Sequence, residues 1–505
     1  MAELSNQPST GLPAGYRASR FDLRTIIIFS LCVALGGVAI LYPIAAFGCI
    51  VGAGVLGLCW LALRYMRRIG LELWQVFLLI SLTGYLVLNY GYENVAFHIG
   101  GFPIIVSYGM VYGALALAVI SHQDLARKTL REPALLCVLG LLALSGLHLI
   151  VDFPAFGVWA LRDCSMCFDA LFLILGLIWA MDKDSSQFLG KWLILVFALN
   201  MVYSFTLPWG EQLAAWSPTS GVFLQVPLLG SYNGAGDTLL AGAVFCICVG
   251  SYIMSRPRWL MLALVLGQLL GIAITQVRRM YLGIVVVIVI LILVGEIKKF
   301  AKLFIFVPVA IGVMVLATTV GGLEISGRIG PVNLSFFKDH IRSITGAEDT
   351  PGSDPESRVI MGNEAMEHFR AHPVFGEGFG QPLLTIIDET NGAVTRMPHN
   401  SSITYLARLG LVGFTVWIAF HFCIVKRFFY AYRHRDSADR KIYAFVLWFF
   451  LYYVLFMLVS LVEAPFEFPS SAVPFYFLMG YGLGLIRWQL VPKNKGRAMG
   501  LPAAV

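Results

Sequence analysis

Stretches of roughly 20 apolar residues recur along the whole chain, and no other feature limits its fold as much. They begin near Thr25, Ile44, Leu71, Phe102, Ala134, Cys164, Trp192, Asp237, Trp259, Tyr281, Leu303, Ser401, Ile442 and Val473. A helix of about that length crosses a hydrocarbon core of roughly 30 Å, and inside lipid every backbone N–H and C=O must be paired. Of 505 residues, 58% are hydrophobic and 13% charged, against roughly 25% charged in soluble domains. The expected fold is an all-α polytopic membrane protein with about 14 transmembrane helices.

Lysine and arginine set the orientation, because they gather in short cytoplasmic loops. An N-terminus placed inside puts Arg17, Arg20 and Arg24, then Arg64, Arg67 and Arg68, then Arg127, Lys128 and Arg131 on the cytoplasmic face. Most of the 36 basic residues follow the same alternation. The net charge of +7 is therefore loop bias, and no basic patch on a soluble domain suggests nucleic acid. The basic N-terminal stretch runs into the first span without a small-residue cleavage pattern, so that helix is expected to stay as an anchor. The chain then divides into a cytoplasmic N-terminus (1–24), a transmembrane bundle (25–320), a large helical loop on the outer side (321–400), the last three spans (401–490) and a cytoplasmic tail (491–505).

The nine cysteines fall in or beside spans, so no disulfide framework is indicated. Cys164 and Cys167 form a CxxC at the mouth of one span, where small apolar cysteines more often fill helix surface than carry redox chemistry.

The loop over 321–400 is too long to be structureless. In "NLSFFKDHIRSITG" an apolar face of Leu334, Phe337, Ile341 and Ile344 opposes Lys338, Asp339 and Arg342, which predicts an amphipathic helix. After the break "AEDTPGSDP", Asp354 caps a second helix with Pro355 at its first position and Arg358 in its first turn, and Pro373 stops it. "HPVFGEGFGQ" follows; without a preceding strand it is a tight irregular turn and not a dinucleotide fingerprint. The chain re-enters the bilayer through "RMPHNSSITYLARLG", with Asn400 or Ser401 placed to cap the next helix.

Charged residues on the outer side are the informative ones, since loop bias does not explain them. Arg278 and Arg279, in "TQVRRMYLG", meet the interface where two spans join with almost no loop. They either reach lipid phosphates or form a guanidinium clamp for a lipid-linked diphosphate, joined by Arg358 and Arg396. His399 is the best general-base candidate, because neutral imidazole accepts a proton near neutral pH. His368 and His372 lack the HExxH pattern and lie beside Glu364 and Glu367, so a solvated polar face is expected there and no metal. Glu93, Asp152, Asp163, Glu211, Asp237, Glu463 and Glu467 also lie near the outer face, and nothing in their spacing ranks them.

Read in order, "TQVRRMYLG", "SRVIMGNEAMEHFRAHPVFGEGFG" and "HNSSITYLARLGLVG" resemble the O-antigen ligase and polymerase superfamily. The resemblance covers roughly Gly230 to the C-terminus, and the first 230 residues match only as a hydrophobic bundle. It implies an inverting, metal-independent glycosyl transfer at the periplasmic face of the bacterial inner membrane, without a cofactor. The donor would be an undecaprenyl-diphosphate-linked glycan, and the acceptor a sugar hydroxyl of lipid A core or of another glycan. His399 maps to the family's base, Arg358 to its loop arginine, and Arg278 or Arg279 to the arginine beside the paired spans. That motif usually reads Ser-Arg-Gly-like and here reads "VRRMYLG". Members commonly have about twelve spans, so the two extra are read as added N-terminal helices. The catalytic set expected is His399, Arg358 and Arg279, with Arg278, Arg396 and Asn400 binding substrate. Ligase-type transfer leads; repeat-unit polymerisation of O-antigen, capsule or exopolysaccharide is the first alternative. A lipid-glycan flippase is the second, disfavoured because no internal repeat is found and the ionisable residues gather at one face.

Overall fold

The computed structural model describes residues 70–99, 102–222, 225–254, 258–296, 312, 327–328, 330, 355–385 and 396–490. The spans expected near Thr25, Ile44 and Leu303, the amphipathic helix over 333–346, the break at 347–354 and the two cytoplasmic ends lie outside the described residues. The chain divides into two compact units, Met1–Phe77 and Leu78–Val505. The described part of the first is residues 70–77, of which Leu73–Phe77 are helical.

The chain is mostly helical. In order come α1 (Leu73–Leu88), α2 (Val106–Ser121), α3 (Pro133–Phe156), α4 (Val158–Phe168), α5 (Leu173–Trp179), α6 (Ser185–Ser204), α7 (Ala235–Cys248), α8 (Arg258–Thr275), α9 (Arg278–Leu293), α10 (Pro355–Ala371), α11 (Ser401–Arg433), α12 (Arg440–Ser460) and α13 (Pro469–Leu485). Among the described residues, α3, α6, α11 and α12 are long and apolar enough to cross a membrane, and α1, α2, α7 and α8 are shorter apolar helices. The span expected near Cys164 is broken: a 3-10 turn, Asp169–Phe172, separates α4 from α5. Cys164 and Cys167 are buried as separate thiols.

Two small hairpins depart from the all-α expectation. β1 (Ala96–Ile99) pairs antiparallel with β2 (Phe102–Ile105), with Ala96 opposite Ile105. β3 (Thr219–Ser220) pairs with β4 (Val226–Pro227). Gly100-Gly101 lies between β1 and β2 in the sequence, a dipeptide suited to a two-residue turn, whereas the apolar run near Phe102 read simply as the start of a span. Ser220 joins the hairpins: its Oγ accepts from Ala96 N at 2.8 Å and donates to Ala96 O at 2.9 Å.

In lipid there is little hydrophobic drive between helices, so close contact and polar side chains hold them together. α5 and α13 touch through glycines: a Cβ on Gly176 would lie 2.1 Å from Phe477 O, and one on Gly480 would lie 2.1 Å from Leu173 O. Asn200 Nδ2 donates to Leu86 O at 2.9 Å, and Trp448 Nε1 donates to Ala241 O at 3.0 Å. α3 and α11 run antiparallel. At one end the fully buried Glu132, just before α3, receives Arg427 Nε and Nη2 at 3.1 Å and Arg487 Nη1 at 2.9 Å. At the other end α3 meets the glycine-rich segment that precedes α11.

That segment explains a break inside α11. At Gly410 the backbone leaves helical geometry, at φ 61° and ψ −164°, a region open essentially to glycine alone. Breaking a helix frees backbone groups that must find partners. Leu411 N donates to Pro373 O at 2.9 Å and Val412 N to Val374 O at 3.1 Å; Ala407 O and Arg408 O accept from Glu377 N and Gly378 N at 2.9 and 3.0 Å. The fit is backbone to backbone, since a Cβ on Gly376 would lie 2.4 Å from Arg408 C and one on Gly410 would lie 2.4 Å from Val374 O. "HPVFGEGFG" and "LARLG" are therefore two halves of one interlock.

Candidate active site

The N-termini of α7, α9 and α11 and the C-terminus of α12 bring four charged or titratable side chains together. Asp237 sits in the first turn of α7 and Arg279 is the second residue of α9. Arg279 grips Asp237 with two bonds, Nε to Oδ1 at 3.2 Å and Nη2 to Oδ2 at 3.0 Å, and reaches Glu463 Oε1 through Nη1 at 2.9 Å. Glu463 follows α12, and its Oε2 lies 3.1 Å from His399 Nδ1. The result is a continuous chain, Asp237 to Arg279 to Glu463 to His399. A carboxylate facing Nδ1 favours the tautomer with the proton on that nitrogen, so Nε2 carries the lone pair. The His399 side chain is 36% exposed, which leaves the imidazole open to a substrate.

His399 precedes the cap of α11. Asn400 Oδ1 accepts from Ser402 N at 3.0 Å and Ile403 N at 3.2 Å, and its Nδ2 donates to Leu461 O at 3.0 Å. The cap is therefore tied to the same turn that carries Glu463. His399 has φ 48°, and the other non-glycine residues with positive φ are Asn89 and Gln276 among the described residues. Asn89 lines the adjoining cleft, and Gln276 stands two residues before Arg278. Unfavourable backbone of this kind collects where a site fixes a geometry.

The charges set the state of Glu463. Burial works to raise its pKa, but the hydrogen bond from His399 and the positive charges of Arg279 and Arg358 outweigh it and hold the carboxyl below the ordinary glutamate value. Arg358 belongs to α10, which docks on the start of α11 through Ala365, Leu383, Leu384 and Ala407, with Met361 and Ile403 packed against them. Its side chain is exposed. Arg278 opens α9 beside Arg279 and is partly exposed.

An open cleft is lined by Arg279, Asp237 and Thr238 together with Leu240, Met280, Leu455, Phe456 and Val459. Asp237 and Arg279 are the charged members of its lining, which is otherwise mostly apolar with Asn89, Ser470 and Ser471 among it; His399 and Glu463 do not line it.

Of the six residues expected to act together, the structure joins His399 with Arg279 through Glu463, brings the charge of Arg358 to the same carboxylate, and makes Asn400 the cap. Arg396 is engaged elsewhere. Its Nη2 donates to Asp163 Oδ2 at 3.0 Å and to Gly380 O at 2.5 Å, and its guanidinium lies 4.1 Å from the centroid of the Trp159 ring. The histidine pair at 368 and 372 is likewise drawn into local structure: His368 Nδ1 contacts the Glu377 carboxylate, and His372 O accepts from Gly376 N. Glu463 and Asp237 are the members that sequence reasoning left unranked among the outer-face acids.

Residues 259–418 match a family model described as O-Antigen ligase. No curated protein matches the chain. The matched segment runs from α8 across Arg278, Arg279, Arg358, the glycine loop and His399 into α11, while Asp237 and Glu463 lie outside it. Over residues 259–418, then, the chain is similar to the O-antigen ligase family, in a protein with four helices long and apolar enough to cross a membrane among the described residues.

Proposed function

We propose that the protein transfers a glycan from an undecaprenyl-diphosphate carrier to a sugar hydroxyl at the periplasmic face of the bacterial inner membrane, with ligase-type transfer as the leading reading. The observation that carries this is the His399–Glu463–Arg279–Asp237 chain, two of whose members, Arg279 and Asp237, line a cleft whose other walls are mostly apolar. A donor with an isoprenoid tail and a diphosphate head matches that division of character.

In this reading the acceptor hydroxyl oxygen attacks the anomeric carbon from the face opposite the diphosphate. Its proton passes to His399 Nε2, and Glu463 stabilises the imidazolium that forms. The bond from the anomeric carbon to the diphosphate oxygen breaks, the leaving group takes the electron pair, and the configuration inverts. Undecaprenyl diphosphate is a good leaving group, so cationic stabilisation suffices and neither a metal nor a cofactor is required. Arg278 and Arg358 face the diphosphate in this account, and the N–H groups opening α9 favour an anion beside them. Arg279 has given three hydrogen bonds to two carboxylates, which makes it the anchor of Glu463 more than a free clamp.

The test is transfer by purified full-length protein supplied with an undecaprenyl-diphosphate-linked glycan, with chelator present. Lipid A core is offered in one arm and a second lipid-linked repeat unit in the other. Glycan on lipid A core supports the ligase reading, and a lengthened chain on the carrier supports a polymerase. Transfer in neither arm, together with carrier movement across vesicles, would favour a flippase and overturn the assignment.

A further inference from the structure

Asp163, in α4, receives four hydrogen-bond donors. Its Oδ2 accepts from Gly380 N at 3.1 Å, Arg396 Nη2 at 3.0 Å and Arg408 Nη2 at 2.9 Å, and its Oδ1 accepts from Arg162 Nη1 at 3.0 Å. The side chain is 5% exposed. Charge-assisted bonds of this kind are short and directional, so one carboxylate fixes several backbones at once.

Arg396 and Arg408 flank the candidate base in the chain, Arg396 three residues before His399 and Arg408 in the turns of α11 that follow it, and Gly380 belongs to the glycine loop. Arg408 also donates through Nη1 to Gly378 O at 3.1 Å and Gln381 O at 2.6 Å. Asp152 holds the same loop from α3, its Oδ2 accepting from Phe379 N at 2.7 Å. The segment 396–400 is therefore pinned on one side by Arg396 to Asp163, and on the other by Asn400 to Leu461 O. Between the pins His399 adopts its positive φ, a conformation that persists only when its surroundings over-determine it.

We propose that Asp163 is a positioning residue for His399, acting through Arg396 and the glycine loop to hold the imidazole where Glu463 and substrate meet it. Asp163 lies outside the matched segment 259–418, so the N-terminal half of the bundle supplies part of the catalytic geometry. This rests on His399 being the base.

The test compares wild type, Asp163→Asn, Arg396→Gln and the double variant as full-length protein in detergent. Steady-state transfer is measured beside the rate at which diethylpyrocarbonate modifies His399, read by peptide mass spectrometry. Each single variant is expected to lower kcat at least tenfold, leave the donor KM within threefold, and change the His399 modification rate at least threefold. The double variant is expected to be no worse than the weaker single, because both break one tether. Arg396→Gln leaves the pair of Asp163 with the buried Arg408 intact, so it carries the test if Asp163→Asn does not fold. A kcat within twofold of wild type in Arg396→Gln, an unchanged His399 modification rate, or losses that multiply in the double variant would overturn the proposal. The base assignment fails separately, if His399→Ala transfers normally while the modification rate still responds to Arg396→Gln.

Discussion

Glu463→Gln isolates what the carboxylate does for His399. The substitution preserves shape, and Arg279 keeps both bonds to Asp237, so the helix ends remain tied. The lost charge is the one that faces His399 Nδ1 at 3.1 Å. Two unit charges about 4 Å apart interact by roughly 4 kcal/mol at an effective dielectric near 20, and a hydrogen bond to a charged group contributes about 1.5–3 kcal/mol. These describe one contact and are not summed; about 3–4 kcal/mol of imidazolium stabilisation in the transition state is the figure they bracket. At about 1.4 kcal/mol per tenfold, kcat should fall by two to three orders of magnitude. The glutamine amide also presents a donor to either His399 or Arg279, which works in the same direction. The assay is single-turnover transfer at saturating donor and acceptor, with donor affinity measured separately and expected to change little. A chemical step within threefold of wild type would refute the idea that Glu463 supports the imidazolium.

Three further outcomes follow from the same geometry. Arg279→Lys retains a charge but cannot hold Asp237 with two bonds and Glu463 with a third, so kcat in the transfer assay should drop at least tenfold while the protein still inserts and purifies. Gly410→Ala places a Cβ 2.4 Å from Val374 O at φ 61°, so thermal unfolding in detergent should show a loss of several kcal/mol or no folded protein; normal stability would contradict the interlock. Burial raises the Glu467 carboxyl from 4.5 to about 7, and its Oε1 is shut off from solvent without a hydrogen-bond partner. The unfolded state therefore ionises first as pH rises, and Glu467 removes stability progressively between about pH 4.5 and 7, by roughly 3 kcal/mol, with no further change above; Glu467→Gln should flatten that fall in a pH series of unfolding measurements.

What could be read from the residues alone was local. The long apolar helices, the Asn400 cap and the end of α10 before Pro373 follow from neighbours within a few positions, as does the choice of His399 and Arg279 as candidates. The pairing that gives those side chains a role does not. Glu463 lies 64 residues from His399 and 184 from Arg279, and only helix register selects it over the other outer-face acids. Arg396 sits three residues from His399, yet the carboxylate it pairs with, Asp163, is 233 residues away. α11 read as one continuous span because a break that another segment repairs leaves no mark in hydropathy. The β1–β2 hairpin was absorbed into an apolar run for the same reason, since two short strands and a helix share that composition.

The central claim is that His399 removes the proton from the acceptor hydroxyl while Glu463 and Arg279 hold it in place. The most direct measurement is the chemical step in purified His399→Ala protein, with the lipid-linked donor saturating and its binding measured independently. The rate is expected to be lower by roughly 10²- to 10⁴-fold with donor binding retained. Transfer at the wild-type rate would contradict it.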